Sequence, residues 1–168
     1  MEEESSKVGE LTPPEGVKCE SCESFLTDKA CVGLYRNCKV IIKPMNYDYM
    51  PIVIVVVPMH RHCPIWQLSD KEHNDLNVIV STIATIMYDE LDMFPNFFTG
   101  GNINNGKYGL KGVHAHVHIE ARIKSDPEYN TFPGHKNKKL LTQSEIDEHI
   151  KSWKLYLEKY KNICSGKN

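Results

Sequence analysis

The twelve-residue run GVHAHVHIEARI, residues 112–123, limits what this chain can fold into more than any other stretch. His114, His116 and His118 alternate with Ala115, Val117 and Ile119. A period of two is the signature of a β-strand, whose successive side chains point to opposite faces. The small apolar set packs on a core, and the imidazoles face outward into a cleft. Histidine is uncommon in strands, so three in alternation mark a working face rather than a merely polar one.

Two chemistries suit such a row. Same-face neighbours on a strand lie roughly 6–7 Å apart at Cα. Two imidazoles at that spacing can share a metal ion, whereas three on a flat strand reach one ion less comfortably. The alternative divides the labour, with one histidine as nucleophile and its neighbours positioning it or holding a phosphate. Imidazole is a nucleophile and a base near neutral pH, and a phosphoimidazole is labile to water.

The surroundings supply the rest of a sheet. Residues 32–43, VGLYRNCKVIIK, are β-rich and read as one or two strands ended by Pro44. MPIVIVVVPM, residues 50–59, is a short β-branched run bounded by prolines and reads as a buried strand. Ser69 and Glu72 form a capping box that opens a helix, along which Leu76, Val80, Ile83 and Met87 recur at helical spacing. Pro95 marks the latest end of that helix; NFFTGGNI reads as a further strand, and NNGKYG as a turn. Thr142 and Glu145 form a second capping box, followed by an amphipathic helix carrying Ile146, Ile150, Trp153 and Leu157. Trp153 reads as core. The order of elements predicts an α+β domain with a mostly antiparallel sheet.

With 168 residues, the chain can bury a core without disulfides. Its net charge of −2 gives no global pull toward nucleic acid or membrane, and its longest apolar run is too short to span a bilayer. Residues 1–16 read as a disordered acidic tail rather than a secretory signal, and 17–168 as one domain. The expected compartment is the cytoplasm, with the nucleus as the alternative. Among six cysteines, Cys19 and Cys22 form a C-x-x-C that follows a loop instead of a strand. That context favours half a metal site over a redox pair.

HAHVHIE resembles the His-x-His-x-His signature of the histidine triad family of nucleotide hydrolases and transferases. VVVPMHRHCPIWQLSDKE resembles the family's strand ending in Pro, with a nearby His and a following helix start. NINNGKYG is similar to its Asn-Gly turn, and the likeness covers roughly residues 17–123. It implies a five-stranded sheet with helices packed on it. It implies that His116 takes the α-phosphoryl group of a nucleotide, with His118 hydrogen-bonded to the phosphate. Asn104 or Asn105 would sit near sugar or phosphate, Asn104 having the better spacing.

Metal-bearing relatives use a C-x-x-C, a histidine after the Pro-ending strand and the first triad histidine. Carried over, the ligands are Cys19, Cys22, His62 and His114, with His60 competing with His62. Two thiolates and two imidazoles suit a closed, structural zinc. The family often forms homodimers, with which Val80, Ile83 and Met87 are compatible.

Three positions depart from the family pattern. Glu120 stands where an apolar residue is usual, a place that a strand end near solvent tolerates. GLKG, residues 109–112, replaces the segment that serves the leaving group, and Lys111 could neutralise phosphate there. Asp48 is nearest in type to the carboxylate that holds ribose hydroxyls. Three readings follow. The first is an enzyme cleaving a nucleoside phosphoramidate or dinucleoside polyphosphate through a nucleotidyl-histidine. The second is a nucleotide-binding or interaction protein with an inert site, and the third a metalloenzyme with a three-histidine ion. No basic Cys/His finger follows the triad to suggest nucleic-acid repair.

Overall fold

The computed structural model describes residues 29–47, 51–59, 63–101, 114–125 and 138–164. Strands β1 (Cys31–Tyr35) and β2 (Cys38–Ile42) form a hairpin joined by Arg36 and Asn37. Both turn residues have positive φ, 46° and 60°. A two-residue hairpin of this kind needs left-handed backbone, which Asn tolerates better than most side chains. After a short strand β3 (Met45–Tyr47), β4 (Ile52–Pro58) lies beside β2. A 3-10 turn (Ile65–Gln67) leads to helix α1 (Asp70–Thr85), then β5 (Met93–Gly101) and β6 (Ala115–Ile123). Strand β7 (Lys138–Leu140) pairs with β3, and helices α2 (Gln143–Lys159) and α3 (Lys161–Cys164) follow.

Five strands make one antiparallel sheet in the order β1-β2-β4-β6-β5. The histidine strand is therefore interior, held between the apolar β4 and β5. One face of the sheet carries Val40, Ile42, Ile54, Val56, Ala115, Val117, Ile119 and Ala121 into the main core. Helix α1 covers that face with Leu76, Ile79 and Ile83, joined by Met87 beyond its end. Ile83 and Met87 are fully buried and belong to the core. A smaller cluster of Ala30, Ile41, Val57 and Ile146 lies apart from the main one. Helix α2 contributes Ile146 to this cluster and Trp153 and Leu157 to the main core, packing against β1 and β2. A side chain such as Ile119 contributes roughly 2–5 kcal/mol over alanine at a site like this.

Both capping boxes form. Ser69 Oγ accepts from the Glu72 backbone N–H at 3.3 Å, and Glu72 accepts from the Ser69 N–H at 2.6 Å. Thr142 and Glu145 repeat the arrangement at α2. Helix α1 ends earlier than Pro95 permits. Thr82 and Thr85 hydroxyls bond back to the carbonyls of Val78 and Ser81, and a π-helical turn, Ile86–Glu90, follows. Such back-bonding competes with the helical ladder and loosens it. Pro95 then falls inside β5 rather than before it, opposite Ala121. An edge strand tolerates a residue without an N–H. No helix among the described residues is long and apolar enough to cross a membrane.

Candidate functional site

Alternation along β6 sends Ala115, Val117, Ile119 and Ala121 into the main core and the histidines to the opposite face. That face is not an open cleft. His114 is 1% and His116 4% exposed, so for these two the expectation of outward imidazoles is corrected: both are buried on the side away from the main core, and His118 is half-buried. Glu120 and Arg122 continue the same row and are also buried, at 3% each. Glu120 is thus no solvent-tolerated strand end. Alternation fixes its face, while its burial comes from packing that no local pattern reveals.

Hydrogen bonds set the tautomers. His116 Nδ1 lies 2.9 Å from the carbonyl oxygen of His114. A carbonyl only accepts, so Nδ1 carries the proton and Nε2 keeps the lone pair. His114 Nε2 lies 3.1 Å from the carbonyl oxygen of Pro58, at the end of β4. Here the proton sits on Nε2, and Nδ1 holds the lone pair. The two imidazoles are therefore set in opposite tautomers by these backbone acceptors. Gly100 on β5 pairs with His116, so no β5 side chain flanks the central histidine at its own register position.

His118 is held by rings. Phe98, its cross-strand partner on β5, stacks on it with centroids 4.6 Å apart and planes 5° apart. His116 meets it edge-on, with centroids at 4.9 Å. Burial pushes the His118 pKa down to about 3, helped by electrostatic interaction with His116 and by the positive charge of Lys43. A neutral imidazole at pH 7 can donate one hydrogen bond and accept another without adding charge to the site. Phe98 and Lys43 are the functional candidates that sequence reasoning missed. Phe98 lay in a segment read as strand, but its pairing register with His118 is a tertiary fact.

The remaining candidates divide by location. Cys19, Cys22, His62, His60, Asp48, Asn104, Asn105 and Lys111 lie outside the described residues. Among the described residues, no three His, Cys, Asp or Glu side chains gather as a metal-binding group. For the four-ligand zinc site, the testable member is His114. A ligating histidine usually donates its second ring N–H to a carbonyl, which fixes the ring and its tautomer. The His114–Pro58 contact has that form. The Ala115 N–H also donates to the Cys63 carbonyl at 2.8 Å, tying the position after His114 to the one after His62. Both observations fit the donor set. Cys31, Cys38, Cys63 and Cys164 form no disulfide, and burial with the Asp75 and Glu72 carboxylates pushes Cys38 up to about 12.

A five-stranded antiparallel sheet with its histidine row on an interior strand has the architecture of the histidine triad proteins, and comparison with solved structures shows that fold. A histidine triad protein from Marinobacter aquaeolei VT8 superposes with a TM-score of 0.60 at 19% identity, over 82% of this chain and 94% of its own. A hypothetical histidine triad nucleotide-binding protein from Sulfolobus tokodaii strain7 gives 0.59 at 16% identity, over 83% and 92%. A Zn-bound histidine triad family protein from Mycobacterium smegmatis gives 0.56 at 13% identity, over 85% and 97%. No family model matches the sequence, and no curated protein matches it. The likeness is one of fold.

Proposed function

We propose that this protein is a nucleotide hydrolase or transferase acting at the α-phosphate of a nucleoside phosphoramidate or dinucleoside polyphosphate, with His116 as nucleophile. The observation that carries this reading is the 2.9 Å contact between His116 Nδ1 and the His114 carbonyl. It leaves Nε2 as the lone-pair nitrogen, on the face away from the main core. In the first step Nε2 attacks phosphorus, and the bond from phosphorus to the leaving amine or phosphate breaks. A nucleotidyl-His116 forms. In the second step water attacks that phosphorus, the P–N bond to His116 breaks, and the nucleotide is released.

His118, neutral and fixed by Phe98, would hydrogen-bond to the phosphate. Positioning and hydrogen bonds to the developing oxyanion charge do most of the catalytic work in phosphoryl transfer. Asn104, Asn105, Asp48 and Lys111 remain the proposed substrate contacts. Cys19, Cys22, His62 and His114 would hold one zinc ion. With four protein ligands that ion would be structural, tying the N-terminal segment to the start of β6.

The test is intact-mass detection and α-phosphate label retention. Wild type should trap a nucleotidyl adduct and His116→Ala should not; a chain that binds no nucleotide would refute the reading. One observation favours a second function. With 4% of His116 exposed, little of the ring meets solvent, as suits a nucleotide-binding protein with an inert site. Tight binding without turnover would select it. The three-histidine metalloenzyme gains no support, because among the described residues His114, His116 and His118 do not gather as a metal-binding group.

A further inference from the structure

Lys43 follows β2 on the histidine side of the sheet, and nothing in the reaction described above uses it. Its backbone N–H donates to the Val53 carbonyl at 2.9 Å. One row of the face therefore reads Ile41, Val55, His118 and Phe98 across the strands, and the next reads Lys43, Val53, Glu120 and Asn96. The lysine is half-buried, a setting in which a lysine can lay its aliphatic stem along apolar surface and keep its ammonium in water. None of the ion pairs among the described residues involves Lys43. Glu120, two strands away in the same row, is not joined to it by an ion pair. The positive charge of Lys43 reaches His118 strongly enough to help keep that ring neutral.

Position decides what this charge can touch. The row of Glu120 lies four residues along β6 from His116, roughly 13 Å, and β2 lies two strands from β6, roughly 10 Å. A lysine reaching from there meets a ligand beside His118, not the phosphorus in line with His116 Nε2. We propose that Lys43 binds a second phosphate of the substrate, distinct from the phosphate that His116 attacks. This rests on the nucleotide reading above and narrows it to ligands with two phosphates. The second phosphate can belong to a polyphosphate chain or to the ribose. A compact ammonium suits it as a point-charge contact.

The experiment measures equilibrium binding of AMP, ADP and adenosine 3′,5′-bisphosphate to wild type, Lys43→Met and Lys43→Arg by calorimetry. At least one of the two bisphosphorylated ligands should bind wild type about tenfold more tightly than AMP. ADP in that role identifies the chain phosphate, and the 3′,5′-bisphosphate identifies the ribose phosphate. The affinity ratio to AMP should fall to about one in Lys43→Met and be largely kept in Lys43→Arg. A ratio of one in wild type, or a ratio unchanged in Lys43→Met, overturns the proposal. If His116 forms its adduct while the ratio is one, only the role of Lys43 fails. If none of the three ligands binds, both readings fail. Because the ratio is taken within each variant, a general loss of folded protein does not mimic the result.

Discussion

Acidification is expected to destabilise this protein through His118, and the size of the effect follows from its surroundings. Burial, with smaller electrostatic effects of His116 and Lys43, lowers the His118 pKa from 6.5 to about 3. The unfolded chain therefore binds a proton at His118 below about pH 6.5, while the folded protein refuses it until about pH 3. The stability contributed by the neutral ring is whole above pH 6.5 and is lost progressively as pH falls toward 3. Within that window the slope is about 1.4 kcal/mol per pH unit. At pH 5 the loss comes to about 2 kcal/mol.

The control is His118→Asn, which keeps a polar side chain but does not titrate. Urea unfolding of both proteins at pH 7, 6, 5 and 4.5 gives two curves of stability against pH, in which the other groups titrate alike. Wild type should fall below its own pH 7 value by about 2 kcal/mol more than the variant does at pH 5. Parallel curves would refute the reasoning, because they would mean that His118 takes up its proton equally in both states. Direct NMR titration of the His118 ring gives the same answer independently, with no protonation expected at pH 5.

Two further predictions test the metal and the scaffold. Metal analysis of the full chain should find one zinc per molecule, lost in Cys19→Ser and in His114→Ala but kept in His118→Ala; the reverse pattern would return the three-histidine site to consideration. Ser69→Ala removes the hydroxyl half of the α1 capping box and should cost about 1 kcal/mol by urea unfolding, with little change in nucleotide binding.

What could be read from residues alone was whatever rests on local periodicity or a short capping signal. The Ser69 and Thr142 boxes, the β-branched run before Pro58, and the two faces of residues 114–121 are all of that kind. The misreadings share another cause. Pro95 looks like a helix stop, and only the knowledge that β5 is a sheet edge makes it acceptable within a strand. The pairing of β3 with β7 joins segments about ninety residues apart and only three residues long, too short to show a pattern. At the site, alternation gave the orientation of the histidines and Glu120 but not their depth. Depth depends on what is laid over the sheet, and Phe98 and Lys43 joined the site only through register across four strands.

The two tryptophans occupy opposite environments: Trp153 is 1% exposed in the core, and Trp66 is 65% exposed on the 3-10 turn after Cys63. One indole therefore emits from an apolar, quencher-shielded setting and the other from water. Iodide or acrylamide should extinguish the red component alone, leaving a blue signal that vanishes only on unfolding. Since Cys63 is bonded to the first residue of the histidine strand, the red component is a built-in optical probe beside that strand, obtained without attaching a dye.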